Sequence, residues 1–361
     1  MRLLIATIML LALALPGLAQ GDKAKPNTLT PKEIADGWLL LFDGETTFGW
    51  RPASAEKSEA LKVSGGAMEL NPPGKAAIQF GAPFPSFDLE FEYKSAKQQA
   101  DIFMRAADGK GVYYSYGLDP KREWTTFKLS VKDRQVYWND KPSLDKKDEF
   151  FRPAPMSCVF GFDQRDGQLS LRNIKLRPLN TTSLFNGNDL AGWNVFPNKK
   201  SMFAVVDGAI NVKNGPGDLQ TAGKYKDFVL QLECKSNGEH LNSGIFFRCR
   251  ENEYQNGYEA QIRNQFTEKP MQKYLIEEYD PKTNKLIGKK EMLSTAVDFG
   301  TGAIYRRMPA RKQMSKDGEW FAMTIVAHGN HFATWVNGVQ VADWTDHRPP
   351  SDNARTGCKL E

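Results

Sequence analysis

The chain is poor in the residues that announce metal, redox or helical proteins. Its four cysteines, Cys158, Cys234, Cys249 and Cys358, form no CxxC pair and none has a histidine at ligand spacing, which argues against a zinc site. Histidine is equally scarce: His240, His328, His331 and His347 are all there are, and His328 and His331 flank a Gly-Asn turn, a loop setting rather than a catalytic one. No long block of Lys or Arg accompanies the formal charge of +5, so no nucleic acid partner is expected, and the Arg306, Arg307, Arg311, Lys312 group reads as solvated surface. Beyond the first twenty residues no apolar run is long enough to cross a bilayer, so the chain is not transmembrane. Helical periodicity is nearly missing as well, with only Pro31 to Ala35 and parts of 266–316 looking helical.

What is present begins with Arg2, an apolar run from Leu3 to Leu15, and small residues up to Ala19. That is a signal peptide over residues 1–19, and it predicts an exported protein, periplasmic or extracellular. Export makes a Cys234–Cys249 disulfide feasible, the plainer reading being four small buried hydrophobes. The length that remains exceeds what one core usually takes and favours two domains.

Internal similarity gives the architecture. LFDGETTFGW (Leu41 to Trp50) matches LFNGNDLAGW (Leu184 to Trp193), VSGGAMEL (Val63 to Leu70) matches VVDGAINV (Val205 to Val212), FDLEFEYK (Phe87 to Lys94) matches FVLQLECK (Phe228 to Lys235), and IFMR (Ile102 to Arg105) matches IFFR (Ile245 to Arg248). The chain is therefore a tandem duplication, with copies at 36–179 and 182–361. Later matches, REW (Arg122 to Trp124) with GEW (Gly318 to Trp320), place about 55 extra residues in the second copy between Ile262 and Lys316. The first copy closes with GFDQRDGQLSLRNIKLRPL (Gly161 to Leu179), which has no counterpart before Glu361, so the second copy is expected to lack its closing strands. The matched segments are short and alternate apolar with polar residues, and Asn337-Gly338 is a strong hairpin signal. The fold class that follows is all-β, two tandem jelly-roll sandwiches.

Within the second copy, two strands carry polar groups in their middle: NSGIFFR (Asn242 to Arg248) and NGYEAQIRN (Asn256 to Asn264). Alternation puts Glu259, Gln261 and Arg263 on one face, and neighbouring strands are expected to add Glu233 and Arg248 to it. Such a row is either the plain solvated side of a sheet or a site for sugar hydroxyls. The first copy has VYYSYG (Val112 to Gly117) where the second has YEAQ, and so carries no acid there, which favours a site kept in one copy and degenerate in the other.

LFNGNDLAGW, VVDGAINV, YKDFVLQLECK, NSGIFFR, GYEAQIRN, GTGAIYRR, EWFAMTIVAHGNHFATWVNG and VADW, in this order, resemble the 3-keto-disaccharide hydrolase domain family, closely over Ser183 to Glu361 and more weakly over Asp36 to Leu179. The resemblance implies a concanavalin A-like jelly roll and the cleavage of glycosides already oxidised at C3, as a 3-keto-glucoside 1,2-lyase and 3-keto-2-hydroxyglucal hydratase. Matched to the family's motifs are Asn242, Arg248, Glu259, Gln261, Thr301 and Tyr305, with Asp298 just before the last two; the elimination would make Glu259 the catalytic base and Arg248 the catalytic contact to the enolate, with Asn242, Gln261, Asp298 and Tyr305 at the substrate and Glu233 of the polar row either there or pinning Arg248. No cofactor is implied, although a divalent ion near Glu259 and Asp298 would be chemically reasonable; the partner would be an upstream sugar 3-dehydrogenase. The family's usual closing strand with Leu-Gln-x-His has no match after Cys358, and 266–297 is longer than usual. A non-catalytic, lectin-like or laminin G-like carbohydrate-binding module is the alternative that the same fold allows.

Overall fold

A computed structural model describes residues 25–53, 61–71, 76–96, 100–109, 113–149, 151–269 and 271–361. The leader over residues 1–19 lies outside the described residues. Twenty-five strands and one five-residue helix make up the described elements, so the chain is all-β. The helix, Pro31–Ala35, starts where the sequence places it: Thr30 and Glu33 form a reciprocal capping box and Pro31 fills the first turn.

In the first copy a five-stranded sheet runs in the order Trp50–Pro52, Ala76–Phe80, Cys158–Gln164, Ala100–Ala106, Tyr113–Leu118. It packs on a second sheet that contains Phe87–Ser95 between Lys121–Lys132 and Leu169–Pro178. Alternation decides which side of each strand is buried. Phe87, Leu89, Phe91 and Tyr93 face the core, while Asp88, Glu90 and Glu92 face out and pair with Arg177, Lys175 and Arg172 on the neighbouring strand. Stacked aromatics fill the interior, Phe91 lying edge-on to Phe162 and Trp50 stacked on it.

The two copies are not beads on a string. Leu39–Leu40 pairs antiparallel with Leu169–Pro178 on one side and parallel with Val339–Thr345 on the other. One twelve-stranded sheet therefore continues through His331–Val336 and Trp320–His328 to Phe228–Lys235 in the second copy. Trp335 from the second copy is buried against Phe80 and Phe84 of the first, and its indole donates to the Leu40 carbonyl at 3.2 Å. Arg311 bridges to Asp43 at 2.7 Å and Lys312 to the same carboxylate at 3.0 Å. These two belong to the basic group read as solvated surface; the structure instead spends them on the junction between copies.

Among the described residues the strands of the second copy have fewer partners than their counterparts in the first. Phe87–Ser95 has a partner on both edges, whereas its counterpart Phe228–Lys235 pairs only with Trp320–His328 among the described residues. Cys158–Gln164 lies between two strands of the first copy; in the second, Leu219–Thr221 pairs only with Trp193–Val195, and Ser243–Phe247 only with Tyr258–Ile262. Phe228, Leu230 and Leu232 are accordingly only half-buried, while Phe87, Leu89 and Phe91 are sealed.

Asn337 and Gly338 both take positive φ, 47° and 74°, as a tight hairpin between Val336 and Val339 requires. The insertion, in contrast, holds a hairpin where helix was expected, Gln272–Tyr279 paired with Leu286–Ser294. Asp280 Oδ1 accepts from the amides of Lys282 and Thr283, a side-chain-built turn that reverses the chain and overrides the helical pattern of Lys and Glu. All four cysteines are free thiols, so the Cys234–Cys249 disulfide is not formed. Burial pushes Cys158 and Cys234 up to about 12, which makes them packing groups, not nucleophiles.

Candidate functional site

The site grows from the second copy's strand Tyr258–Ile262. Tyr258, Ala260 and Ile262 point into the core, packing near Phe247 and Phe332, which turns Glu259 and Gln261 to the opposite face. On one side its partner strand brings Gly244 opposite Gln261 and Phe246 opposite Glu259. On the other side residues 301–305 run alongside, the Tyr305 amide donating to the Glu259 carbonyl at 2.9 Å and the Gln261 amide to the Ala303 carbonyl at 3.0 Å. Glu259 leans across Gly244: a Cβ there would come within 2.3 Å of Glu259 Oε1. Only glycine leaves the carboxylate its place.

Glu259 is mostly enclosed, and its carboxyl is raised to about 7, first by burial and then by the negative charge of Asp298, with Arg306 opposing. Asp218 adds to the rise and Arg355 works against it. Gln261, 1 % exposed, donates through Nε2 to the Asp298 carbonyl at 3.1 Å, while its Oε1 is buried without a protein partner. Asp298 and Phe299 both sit at positive φ, 50° and 70°, a tight turn that aims the Asp298 carboxylate toward the Glu259 side. The turn is held by the insertion: Tyr274 donates to the Ala296 carbonyl at 2.5 Å and accepts from the Phe299 amide at 3.1 Å. Tyr274, Phe299 and Tyr305 then form a run of rings with centroids 4.5 and 5.3 Å apart, and Arg306 lies 5.4 Å over the last of them.

Two residues of the expected polar row are elsewhere. The strand Ser243–Phe247 ends before Arg248, whose φ of 50° turns its side chain inward. Its guanidinium is fully buried over the Phe332 ring, donating to the carbonyls of Lys226 at 3.0 Å and Lys359 at 3.1 Å, to that of Gly329, and to Asp227 at 3.0 Å. Arg248 is thus a clamp on three backbone segments and not a partner of Glu259, which corrects the catalytic role expected for it. Glu233 lies opposite Ala322 in the twelve-stranded sheet, so it belongs to the other layer from Glu259 and does not pair with Arg248. Asn242 is exposed just ahead of Ser243–Phe247, one step past the Ser243–Ile262 pair, which sets it on the Glu259 side next to Arg263.

Asn264 has a role that sequence reasoning passed over. Its Oδ1 accepts from Thr301 at 2.5 Å and Ser315 at 2.6 Å, its Nδ2 donates to Asp317 at 3.0 Å, and Thr301 accepts from the Arg263 amide at 2.9 Å. This buried network fixes residues 301–305 beside Glu259; the end of the NGYEAQIRN motif was its only signal. Asp218 gave no signal, because it stands in a loop between short strands. Among the described residues no group of three or more His, Cys, Asp or Glu could hold a metal ion, and no helix is long and apolar enough to cross a membrane.

A raised carboxylate, amides and aromatic rings thus gather around the strand Tyr258–Ile262. The sequence profile of the 3-keto-alpha-glucoside-1,2-lyase-like domain matches residues 37–119 and 180–359, and the chain belongs to that family, in two tandem copies. Similar solved structures include a protein from Parabacteroides distasonis ATCC 8503 described provisionally as a glycosyl hydrolase, 17% identical over 43% of this chain and 100% of that one, with a TM-score of 0.36. The carbohydrate-binding module CBM66 from Bacillus subtilis is 14% identical over 36% of this chain and 95% of its own, TM-score 0.27. The family 11 module from Clostridium thermocellum, solved with a β-1,3-1,4-mixed-linked tetrasaccharide, is 18% identical over 39% and 96%, TM-score 0.28. Likenesses at this level say nothing about function. No curated protein matches the chain.

Proposed function

We propose that the second copy cleaves 3-keto-glycosides by β-elimination and then hydrates the product. The observation that carries this reading is the Glu259 carboxyl, held near 7 by burial and by Asp298. A ketone at C3 acidifies the C2 proton. Glu259 takes that proton, and the electron pair passes onto the C3 oxygen as an enolate. The enolate collapses to restore C3=O, the C1=C2 double bond forms, the C1–O bond breaks, and the departing oxygen gains a proton from solvent. Water then adds at C1 with return of a proton to C2, giving the free 3-keto sugar. A base works best with a pKa near the operating pH, and one base suffices here, unlike the two carboxylates of ordinary glycosidases.

With Arg248 withdrawn into the core, the cation available to the enolate is Arg306, with the Tyr305 hydroxyl beside it. Asp298 and Asn242 position hydroxyls, and the buried Gln261 holds Asp298 in place for this. The substrate would be supplied by an oxidoreductase acting at C3 of the sugar, and the leader predicts that both act outside the cytoplasm.

The test is release of glucose from 3-keto-trehalose and from trehalose by the protein and by Glu259→Gln. Cleavage of the keto sugar alone, lost in the variant, is expected. Sugar binding without cleavage by the folded wild type would mean that the face serves recognition only.

A further inference from the structure

Glu259 has a second flank that the reaction above leaves unused. The turn after Trp193–Val195 carries Phe196, whose ring lies 5.5 Å from that of Tyr254 at 57°, and Lys199 places its ammonium 3.7 Å from the Tyr254 ring centre. Asp218 ties this corner together. Its carbonyl accepts from the Phe196 amide at 2.9 Å and its carboxylate from the Gln255 amide at 3.3 Å. Asn252 and Gln255 both take positive φ, 59° and 49°, so the loop that presents Tyr254 is tightly turned immediately before the Glu259 strand. The Tyr254 hydroxyl is enclosed without a protein partner, and the Asp218 charge reaches both it and Glu259. Tyr305, Phe299 and Arg306 thus gather at the Asp298 side of the Glu259 strand, while Phe196, Tyr254 and Lys199 gather around Asp218 at the loop that leads into that strand.

We propose that Phe196, Tyr254, Lys199 and Asp218 form a subsite for the second ring of a disaccharide, the ring that departs. This rests on the reading of Glu259 as the base at C2. The glycosidic oxygen leaves from C1, the carbon next to the one that Glu259 deprotonates, so the departing ring must lie beside the base while the keto ring occupies the side with the enolate-facing cation. Sugar rings offer C–H faces to flat apolar surfaces and hydroxyls at their edges; the tilted Phe196–Tyr254 pair supplies the apolar surface, and the Lys199 ammonium and the Asp218 carboxylate supply polar partners. The subsite takes part in no covalent step. It supplies remote binding energy that positions C2 at Glu259.

The test compares 3-keto-trehalose with methyl 3-keto-α-glucoside, whose leaving group is too small to reach the subsite. In Tyr254→Ala, Phe196→Ala and the surface variant Lys199→Ala, kcat/KM for the disaccharide should fall, by about tenfold for the two aromatic variants. The methyl glycoside should change by less than about twofold, because it spends no binding energy there. Equal losses on both substrates in all three variants would overturn the subsite. If the wild type cleaves neither substrate, the reading of Glu259 fails, and titration with unoxidised trehalose and methyl α-glucoside judges the subsite alone. Tighter binding of the disaccharide that disappears in Tyr254→Ala supports it; equal affinities in wild type overturn it.

Discussion

Replacing Glu259 by Gln removes one charge from an enclosed place while keeping the shape of the neutral side chain, and the consequence for stability can be worked out with its sign. The Glu259 carboxyl is raised from 4.5 to about 7 in the folded protein. Between those values the folded state holds a proton that the unfolded state has released, so stability falls as pH rises through the interval and stays low above it. The full interval corresponds to about 3 kcal/mol, and partial exposure of the carboxyl to solvent reduces this to about 2 kcal/mol. Glu259→Gln, which cannot ionise, should therefore be more stable than wild type by about 2 kcal/mol at pH 8.5, or about 3 °C in Tm for a chain of this size. At pH 4 the two should melt together, because the glutamate is then protonated in both states. Thermal melts of both proteins across pH 4 to 8.5 read this directly. A variant equal to or less stable than wild type at pH 8.5 would refute the enclosed, charge-repelled carboxylate on which the site is built.

Four more expectations follow from the same geometry. The rate of keto-sugar cleavage should rise with pH to a plateau, with a midpoint near 7 set by deprotonation of Glu259, in a pH profile of kcat/KM. Gly244→Ala should cost about a hundredfold in kcat/KM, since the new methyl meets Glu259 from Cγ to the carboxylate and must displace that side chain as a whole. Arg248→Met should destabilise by about 3 kcal/mol in urea titration, because three carbonyls and Asp227 lose a buried donor. Asn264→Ala should lower activity more than stability alone explains, and Asn264→Asp should not restore it, because its carboxylate keeps the acceptor for Thr301 and Ser315 but meets the Asp317 carboxylate where the amide had donated.

Much of this molecule was legible in its sequence because a duplication supplies its own alignment. Once FDLEFEYK was set against FVLQLECK, the strand pattern and the contrast between YEAQ and VYYSYG were open to reading, and the Asn337-Gly338 hairpin needed only local turn chemistry. Alternation also placed Glu259 and Gln261 on one face. It failed at Arg248, which itself takes a left-handed φ just past the end of the strand and turns its own side chain inward, since nothing in the neighbouring residues marks positive φ for an arginine. It failed again at Glu233, because alternation says which residues share a face of one strand and not which layer that strand joins. The insertion was misread for a related reason: a turn built by the Asp280 side chain decided between hairpin and helix where Lys and Glu content could not.

Leu39–Leu40 joins the two copies with only two residues, yet it stands between their strands in one continuous sheet, 1% and 5% exposed. Its neighbourhood is tied on both sides, the Leu40 amide to the Gly338 carbonyl at 2.7 Å and the Leu41 amide to that of Ile174 at 2.8 Å. Splitting the gene between the copies would leave each half with a raw sheet edge and would tear Trp335 out of the aromatic interior that it fills. The first copy is thus one half of a shared folding unit, and that structural part accounts for its presence without any chemistry of its own. Amide hydrogen exchange would register this as a shared clock: protons at Leu40 and Leu41 should leave no faster than those of the innermost strands of either copy.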